Sequence, residues 1–324
     1  MQRPPIQTRA ATLADRTRVA AIMAAAFADD PAMCFILPDA AQRPERLRRF
    51  FALIQRTERD PALTRVPPTG ALTLRDVVDV VPERKEPILK GVSLQVQPAS
   101  VTVVLGPSGS GKSTLARCIL GIWPQMAGEV LLDERPIQGW NRDELGAYIG
   151  YLPQDIELFE GTIAENIARL GEVDAQKVIA AAKDAGLHEM ILRFPKGYDT
   201  SMGEAGNLLS GGQRQRIGLA RAIYGQPALV VLDEPNANLD DVGEAALVQA
   251  VQALRARGSA VVLITHRPGI LAVADNVVIL KDGVLQAQGP RDAVLAALRA
   301  AQPAQAPAQA QVTAAAPDAA AAGA

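Results

Sequence analysis

Short apolar runs separated by polar or turn-forming residues dominate the middle of the chain. Leu72 to Val81, Ile88 to Val96 and Val101 to Leu105 follow one another closely, and runs of that length predict β-strands. Leu229-Val230-Val231-Leu232 and Val261-Val262-Leu263-Ile264-Thr265 read as buried strands. Val277 to Leu280, before the turn Lys281-Asp282-Gly283, is the last strand-like run. Between them the period changes: Thr114 to Arg117, Ile217 to Ile223 and Arg291 to Leu298 are helix-prone. Strands alternating with helices predict an α/β architecture in which helices cover a sheet.

The front of the chain has a different texture. Val19, Ile22, Met23, Ala26 and Phe27 recur at i, i+3, i+4, i+7 and i+8, one apolar helical face. Thr12-Leu13-Ala14-Asp15 has the form of a capping box before it, and Asp29-Asp30-Pro31 stops it. A second amphipathic helix is expected from Pro44, with Leu47, Phe50, Phe51 and Ile54 on one side and Arg46, Arg48, Arg49 and Arg56 elsewhere. Prolines 61, 67 and 68 with Gly70 mark a linker. Residues 301–324 are nearly all Ala, Pro and Gln and lack the large apolar groups that offset ordering entropy. The expected organisation is a helical segment at 1–60, a linker at 61–70, a domain at 71–298 and a disordered tail at 299–324.

Composition narrows the function. The 324 residues are 48% hydrophobic but only 4% aromatic, so the core must be built from Val, Leu, Ile and Ala. A formal net charge of −2 gives no reason to expect a nucleic-acid partner. Residues 1–65 carry 11 Arg, no Lys and 7 acids; the acids at 15, 29 and 30 argue against an organellar transit peptide. Two cysteines, Cys34 and Cys118, make neither a disulfide framework nor a zinc motif, which suggests a reducing, cytoplasmic setting. No run approaches 18 uninterrupted apolar residues, so no membrane-spanning helix is expected.

One stretch carries chemistry on its own. Gly106-Pro107-Ser108-Gly109-Ser110-Gly111-Lys112-Ser113-Thr114 lies between an apolar run and a helix-prone one. In that context G-x-x-x-x-G-K-[ST] is a phosphate-binding loop. Its glycines permit positive-φ turns that aim backbone N–H groups at an anion, and the following helix adds its positive end. Lys112 would bridge the β- and γ-phosphate oxygens and the Ser113 hydroxyl would ligate Mg²⁺.

A second motif, Leu209-Ser210-Gly211-Gly212-Gln213-Arg214-Gln215-Arg216, together with this loop, resembles the ATP-binding cassette ATPases, over about residues 70–298. The other segments appear in order: Gln154 after Tyr151-Leu152-Pro153 resembles the Q-loop, Leu229 to Glu234 the Walker B segment, Asn238-Leu239-Asp240 the D-loop, and His266 the switch histidine. The resemblance implies a P-loop NTPase with a mixed sheet core, an antiparallel β portion and a helical signature subdomain at about 155–220. It also implies ATP and Mg²⁺ as ligands: Ser113, Gln154 and Asp233 toward the metal, Glu234 polarising the attacking water, Gln154 in contact with that water, and His266 at the γ-phosphate. Ser210, Gly211, Gly212 and Gln213 would close over ATP bound to a second cassette packed head to tail.

Phe159 to Ile167, Gly203-Glu204-Ala205-Gly206 and Asp233 to Asp240 look closest to type I secretion exporters of the protease and repeats-in-toxin group. That resemblance implies export driven with a separate membrane permease, at the cytoplasmic face of the inner membrane. Two departures stand out. Near Val80-Val81, where exporter cassettes place an aromatic against adenine, only aliphatic side chains occur. Ahead of the cassette, where the membrane domain is usual, residues 6–55 resemble the start of a GCN5-related N-acetyltransferase, in Thr8 to Asp15, Ala26 to Pro31 and Arg46 to Phe51. The acetyl-CoA motif Q/R-x-x-G-x-G/A has no match before the P-loop. The alternatives are a non-transport cassette, an inactive fusion product that binds ATP only and, more remotely, an acetyltransferase.

Overall fold

The computed structural model describes residues 16–26, 44, 47, 67–79, 86–123, 127–205 and 209–301. Its front element is helix α1 (Arg16–Ala26), where the apolar period expects one. The Thr12 cap, most of the second helix, Val80-Val81 and the tail beyond residue 301 lie outside the described residues.

The remaining strands form two sheets. Strands β1 (Leu72–Asp79), β2 (Leu89–Val96), β4 (Ala127–Leu132) and β5 (Arg135–Pro136) make an antiparallel sheet in the order β2-β1-β4-β5. A six-stranded sheet contains β3 (Val101–Leu105), β6 (Ile149–Leu152), β7 (Leu229–Asp233), β8 (Ala260–Ile264), β9 (Asn276–Lys281) and β10 (Val284–Pro290). Its order is β10-β9-β3-β8-β7-β6; the pairs from β9 to β6 are parallel, and β10 runs antiparallel to β9. The fold is mixed α/β, as the sequence implies.

Strand β10 corrects the sequence reading, which ends the strands at Leu280. Its residues alternate between exposed and half-buried, so this edge strand lacks the apolar run that marks its buried neighbours. Backbone pairing with β9 through the turn at Asp282-Gly283 fixes it instead.

The uninterrupted apolar runs are explained by burial on both faces of the parallel sheet. Val101, Val103, Val230, Leu232, Val261 and Leu263 enter one core, and Val104, Leu229, Val231, Val262 and Ile264 enter the other. The second core holds helix α2 (Lys112–Ile119) between the two sheets, through Leu115, Ala116, Cys118 and Ile119. Helix α3 (Arg142–Tyr148) leads into β6. The first core is covered by α4 (Ile163–Ile167), α5 (Ala175–Asp184), α6 (His188–Ile191), α7 (Met202–Ala205), α8 (Gly211–Ile223) and α9 (Asp241–Ala256). A final helix, α10 (Arg291–Ala301), succeeds β10.

Candidate functional site

The loop between β3 and α2 is shaped by close approach and by backbone sign. A Cβ on Gly106 would stand 2.1 Å from the Leu280 carbonyl oxygen, so no side chain fits there. Gly109 has φ +78° and open space around it, and Gly111, the N-cap of α2, has φ +99°. Lys112 Nζ donates to the carbonyl oxygens of Gly106 and Pro107, both at 2.9 Å. The ammonium therefore lies against the loop. The Ser110 side chain is buried beneath it.

Parallel pairing brings the other candidates to this loop. Strands β3, β8 and β7 are adjacent and end at the same edge, so the residues just past β7 and β8 meet the loop after β3. The resulting cleft has a volume of about 780 Å³. It is lined by Gly106 to Gly109, Gly111, Lys112, Ser113 and Thr114, and across from them by Gln154, Asp233, Glu234 and His266. Ile88, Arg117, Trp123 and Ala237 complete the wall.

Asp233 ends β7 and is 1% exposed. Burial raises its carboxyl above the ordinary range, and the neighbouring Glu234 adds to this; the Ser113 hydroxyl, Lys112 and Arg117 act the other way. Its Oδ1 finds no hydrogen-bond partner among the described residues. A buried carboxylate oxygen without a partner, beside the Ser113 hydroxyl, is an oxygen donor set suited to a hard divalent cation.

Glu234 turns out of the strand. Its N–H still donates to the Ile264 oxygen at 2.9 Å, but its φ is +50°. A non-glycine residue in the left-handed region is strained, and such strain collects at functional sites. His266 Nδ1 lies 3.1 Å from Glu234 Oε1 and 2.9 Å from Oε2.

The signature residues stand elsewhere. Ser210 caps α8 by accepting from the Gln213 N–H at 3.2 Å, while its own N–H donates to Gln213 Oε1 at 2.9 Å. The N-terminal turn of α8 packs on the D-loop: a Cβ on Gly212 would lie 2.7 Å from the Asn238 oxygen. Asp240 in that loop caps α9 through the Gly243 N–H at 2.8 Å. Ser210, Gly211, Gly212 and Gln213 are not among the residues lining the P-loop cleft.

Several supporting residues are given no role by the sequence reading. Gln215, buried in α8, donates from Nε2 to the Glu234 carbonyl at 3.3 Å. Asn236 is fully buried and accepts from the Thr265 hydroxyl at 3.1 Å. The Arg117 guanidinium stands 5.0 Å from the Trp123 ring centroid. A glutamine at an otherwise buried helix position is the one available signal, and it serves only for Gln215.

A glycine-rich loop between a buried parallel strand and a helix, with two acids and a histidine ending the neighbouring strands, defines a P-loop nucleotide-binding domain. Residues 89–237 match the family described as ABC transporter, and the chain belongs to that family, whose ATP-binding domains hydrolyse ATP, generally with Mg²⁺. The chain is 46% identical over 257 residues to the type I secretion system ATP-binding protein PrsD of Rhizobium meliloti, covering 79% of this chain and 44% of that protein. It is 42% identical over 213 residues to the mycobactin import ATP-binding/permease protein IrtA of Mycolicibacterium thermoresistibile, covering 65% of this chain and 23% of that one. The chain thus spans less than half the length of these two curated relatives. A bacterial Atm1-family ABC exporter, solved with ATP bound, superposes with a TM-score of 0.66 at 31% identity, covering 84% of this chain and 51% of the exporter chain. Among the described residues no helix is long and apolar enough to cross a membrane.

Proposed function

We propose that this chain hydrolyses ATP to power export of the type I secretion kind, together with a membrane-spanning permease and at the cytoplasmic face of the inner membrane. The observation that carries the proposal is the convergence of Lys112, Ser113, Gln154, Asp233, Glu234 and His266 on one cleft. The identity to a type I secretion ATP-binding protein supports the export branch.

In this reading residues 106–114 cradle the phosphates through backbone N–H groups and the positive end of α2, with Lys112 leaving its two carbonyls for phosphate oxygens. Ser113, Gln154 and Asp233 would hold Mg²⁺, which when bound would supply positive charge to compensate the phosphates. Glu234 orients a water and takes its proton, which its fixed place beside His266 favours. His266 holds that carboxylate and faces the γ-phosphate. Phosphoryl transfer needs positioning and charge compensation more than covalent chemistry, and these side chains supply both.

The displacement of Ser210–Gln213 from the cleft supports the second part of the proposal. The Ser210 hydroxyl and the Gly211 and Gly212 N–H groups at the start of α8 serve ATP on the P-loop of a second copy, head to tail. The test is sedimentation of the Glu234→Gln protein, which keeps the shape and loses the base. With saturating Mg-ATP it should become a dimer, and return to monomer when Lys112 is also replaced by Ala. A Glu234→Gln protein that stays monomeric would overturn the shared site.

A further inference from the structure

We infer that Arg169 is a positioning residue that fixes the signature helix to β6, the strand that leads to Gln154. The inference rests on the ATP-hydrolysis reading of the site and adds a residue to it that touches neither ATP nor the reacting atoms.

Arg169 comes just after α4 at φ +60°, and its guanidinium reaches two places at once. At the far end of α8 it donates from Nε to the Arg221 oxygen at 3.0 Å, and from Nη2 to the oxygens of Ala222 at 2.9 Å and Tyr224 at 3.1 Å. At the root of β6 it donates from Nη1 to the Ile149 oxygen at 3.0 Å and to the Gly146 oxygen near the end of α3. Carbonyls at helix C-termini lack intrahelical partners and carry partial negative charge. Two such ends converge on one cation. Burial lowers the pKa of this guanidinium from its ordinary value, yet the planar fork serves five acceptors that no neutral side chain could serve together.

The two elements already approach closely. A Cβ on Gly150 of β6 would stand 2.0 Å from the Ala222 oxygen, so backbone touches backbone where Arg169 clasps. A second arginine extends the clasp: Arg221 donates to the Asn166 oxygen at 3.0 Å, to Asn166 Oδ1 at 2.8 Å and to the Glu157 oxygen at 2.9 Å. Asn166 in turn holds both the N–H and the carbonyl of Phe159 at 2.9 Å. The segment beyond Gln154 is thereby tied to α8 as well.

The consequence is geometric. Gln154 lies beyond one end of β6 and Ser210 at the start of α8, while Arg169 joins the other ends of both. If the two elements turn together, the Gln154 of one active site and the signature serine that serves the opposite site keep a fixed relation. Occupancy of one site is then felt at the other. A purely stabilising role for Arg169 would not require this.

The test compares Arg169→Met and Arg169→Lys in the full chain, read by hydrogen exchange, ATP affinity and turnover. For Met, amide exchange in 149–152 and 217–224 should accelerate together. ATP affinity should stay within about twofold, and kcat should fall about tenfold or more, as expected when distant support shifts a site by a fraction of an ångström. Lys keeps the charge but not the fork and should give intermediate values. Unchanged exchange in those two segments overturns the clasp whether or not the wild-type protein hydrolyses ATP. Loss of ATP affinity in parallel with kcat, or an unchanged kcat, overturns the positioning role. If the Met variant does not fold, Lys decides: a several-fold lower kcat at unchanged affinity supports the inference, and wild-type kcat overturns it.

Discussion

Glu234 and His266 meet across the ends of two adjacent parallel strands, with Nδ1 2.9 and 3.1 Å from the carboxylate oxygens. The histidine side chain is 69% exposed and the glutamate 13%. A ring open to solvent on one side and bonded to a shielded carboxylate on the other can hold that carboxylate in place while facing a ligand. His266→Ala should therefore leave ATP affinity within a few-fold and lower turnover about 100-fold, in the range for loss of a group that assists proton transfer. Equilibrium binding and phosphate release on the same preparation separate the two effects. Equal losses in binding and turnover would place His266 in ground-state binding instead.

Asp233 is a buried carboxylate whose charge is disfavoured by burial. Asp233→Asn removes that charge with little change of shape, so the protein without nucleotide or metal should melt at a higher temperature than wild type. The same change should weaken Mg-ATP binding and abolish turnover. For the wild-type carboxyl the raised pKa means that the folded state holds this proton more tightly than the unfolded one. Its contribution to stability is present below the unfolded value of 3.8 and is lost as pH rises through the folded value. Melting in metal-free buffer across that range, wild type against Asp233→Asn, isolates that contribution.

The two glycines of the loop should respond differently to alanine. At Gly106 an added methyl meets backbone at 2.1 Å, and relief requires moving β9 or the loop, so Gly106→Ala should cost about 3 kcal/mol, at the upper end for overpacking. At Gly109 nothing lies within 4 Å and only the positive φ opposes a side chain, so the expected cost is about 1 kcal/mol. Denaturant unfolding of the two variants measures the difference.

Cys118 is fully buried in α2, and burial, with the nearby Asp79 carboxylate, pushes its thiol up to about 12. It should resist alkylation in the native protein at about pH 8, below the ordinary thiol pKa, and react on unfolding. Because the folded pKa lies above the unfolded 9.0, the thiol's contribution to stability is complete below that value and declines from there upward. Rapid alkylation under native conditions would contradict its placement.

The parts of this structure legible in the sequence are those written in apolar runs and glycine spacing. Strands β3, β7 and β8 are buried on both faces and announce themselves. So do the loop at 106–113 and the acids that end β7. Strand β10 escapes such a reading because an edge strand needs no apolar run. The left-handed turn at Glu234, the Gln215 bond to its carbonyl and the five carbonyls around Arg169 are not legible either. Each joins segments far apart in the chain, and local pattern carries no record of such meetings. The motif resemblance assigns Ser210–Gln213 to ATP on a second cassette, and in the structure they lie outside the lining of their own P-loop cleft. The expected division at residues 60 and 70, and the acetyltransferase-like segment, fall largely outside the described residues.

The most direct measurement is phosphate release from Mg-ATP by the purified chain as a function of protein concentration, with Lys112→Ala and Glu234→Gln alongside. A site completed by a second copy should give specific activity that rises with concentration, and both variants should lose nearly all of it. Glu234→Gln should retain ATP binding and Lys112→Ala should not. Turnover that is independent of concentration, or that survives in Glu234→Gln, would contradict a shared ATP site in which Glu234 activates the water.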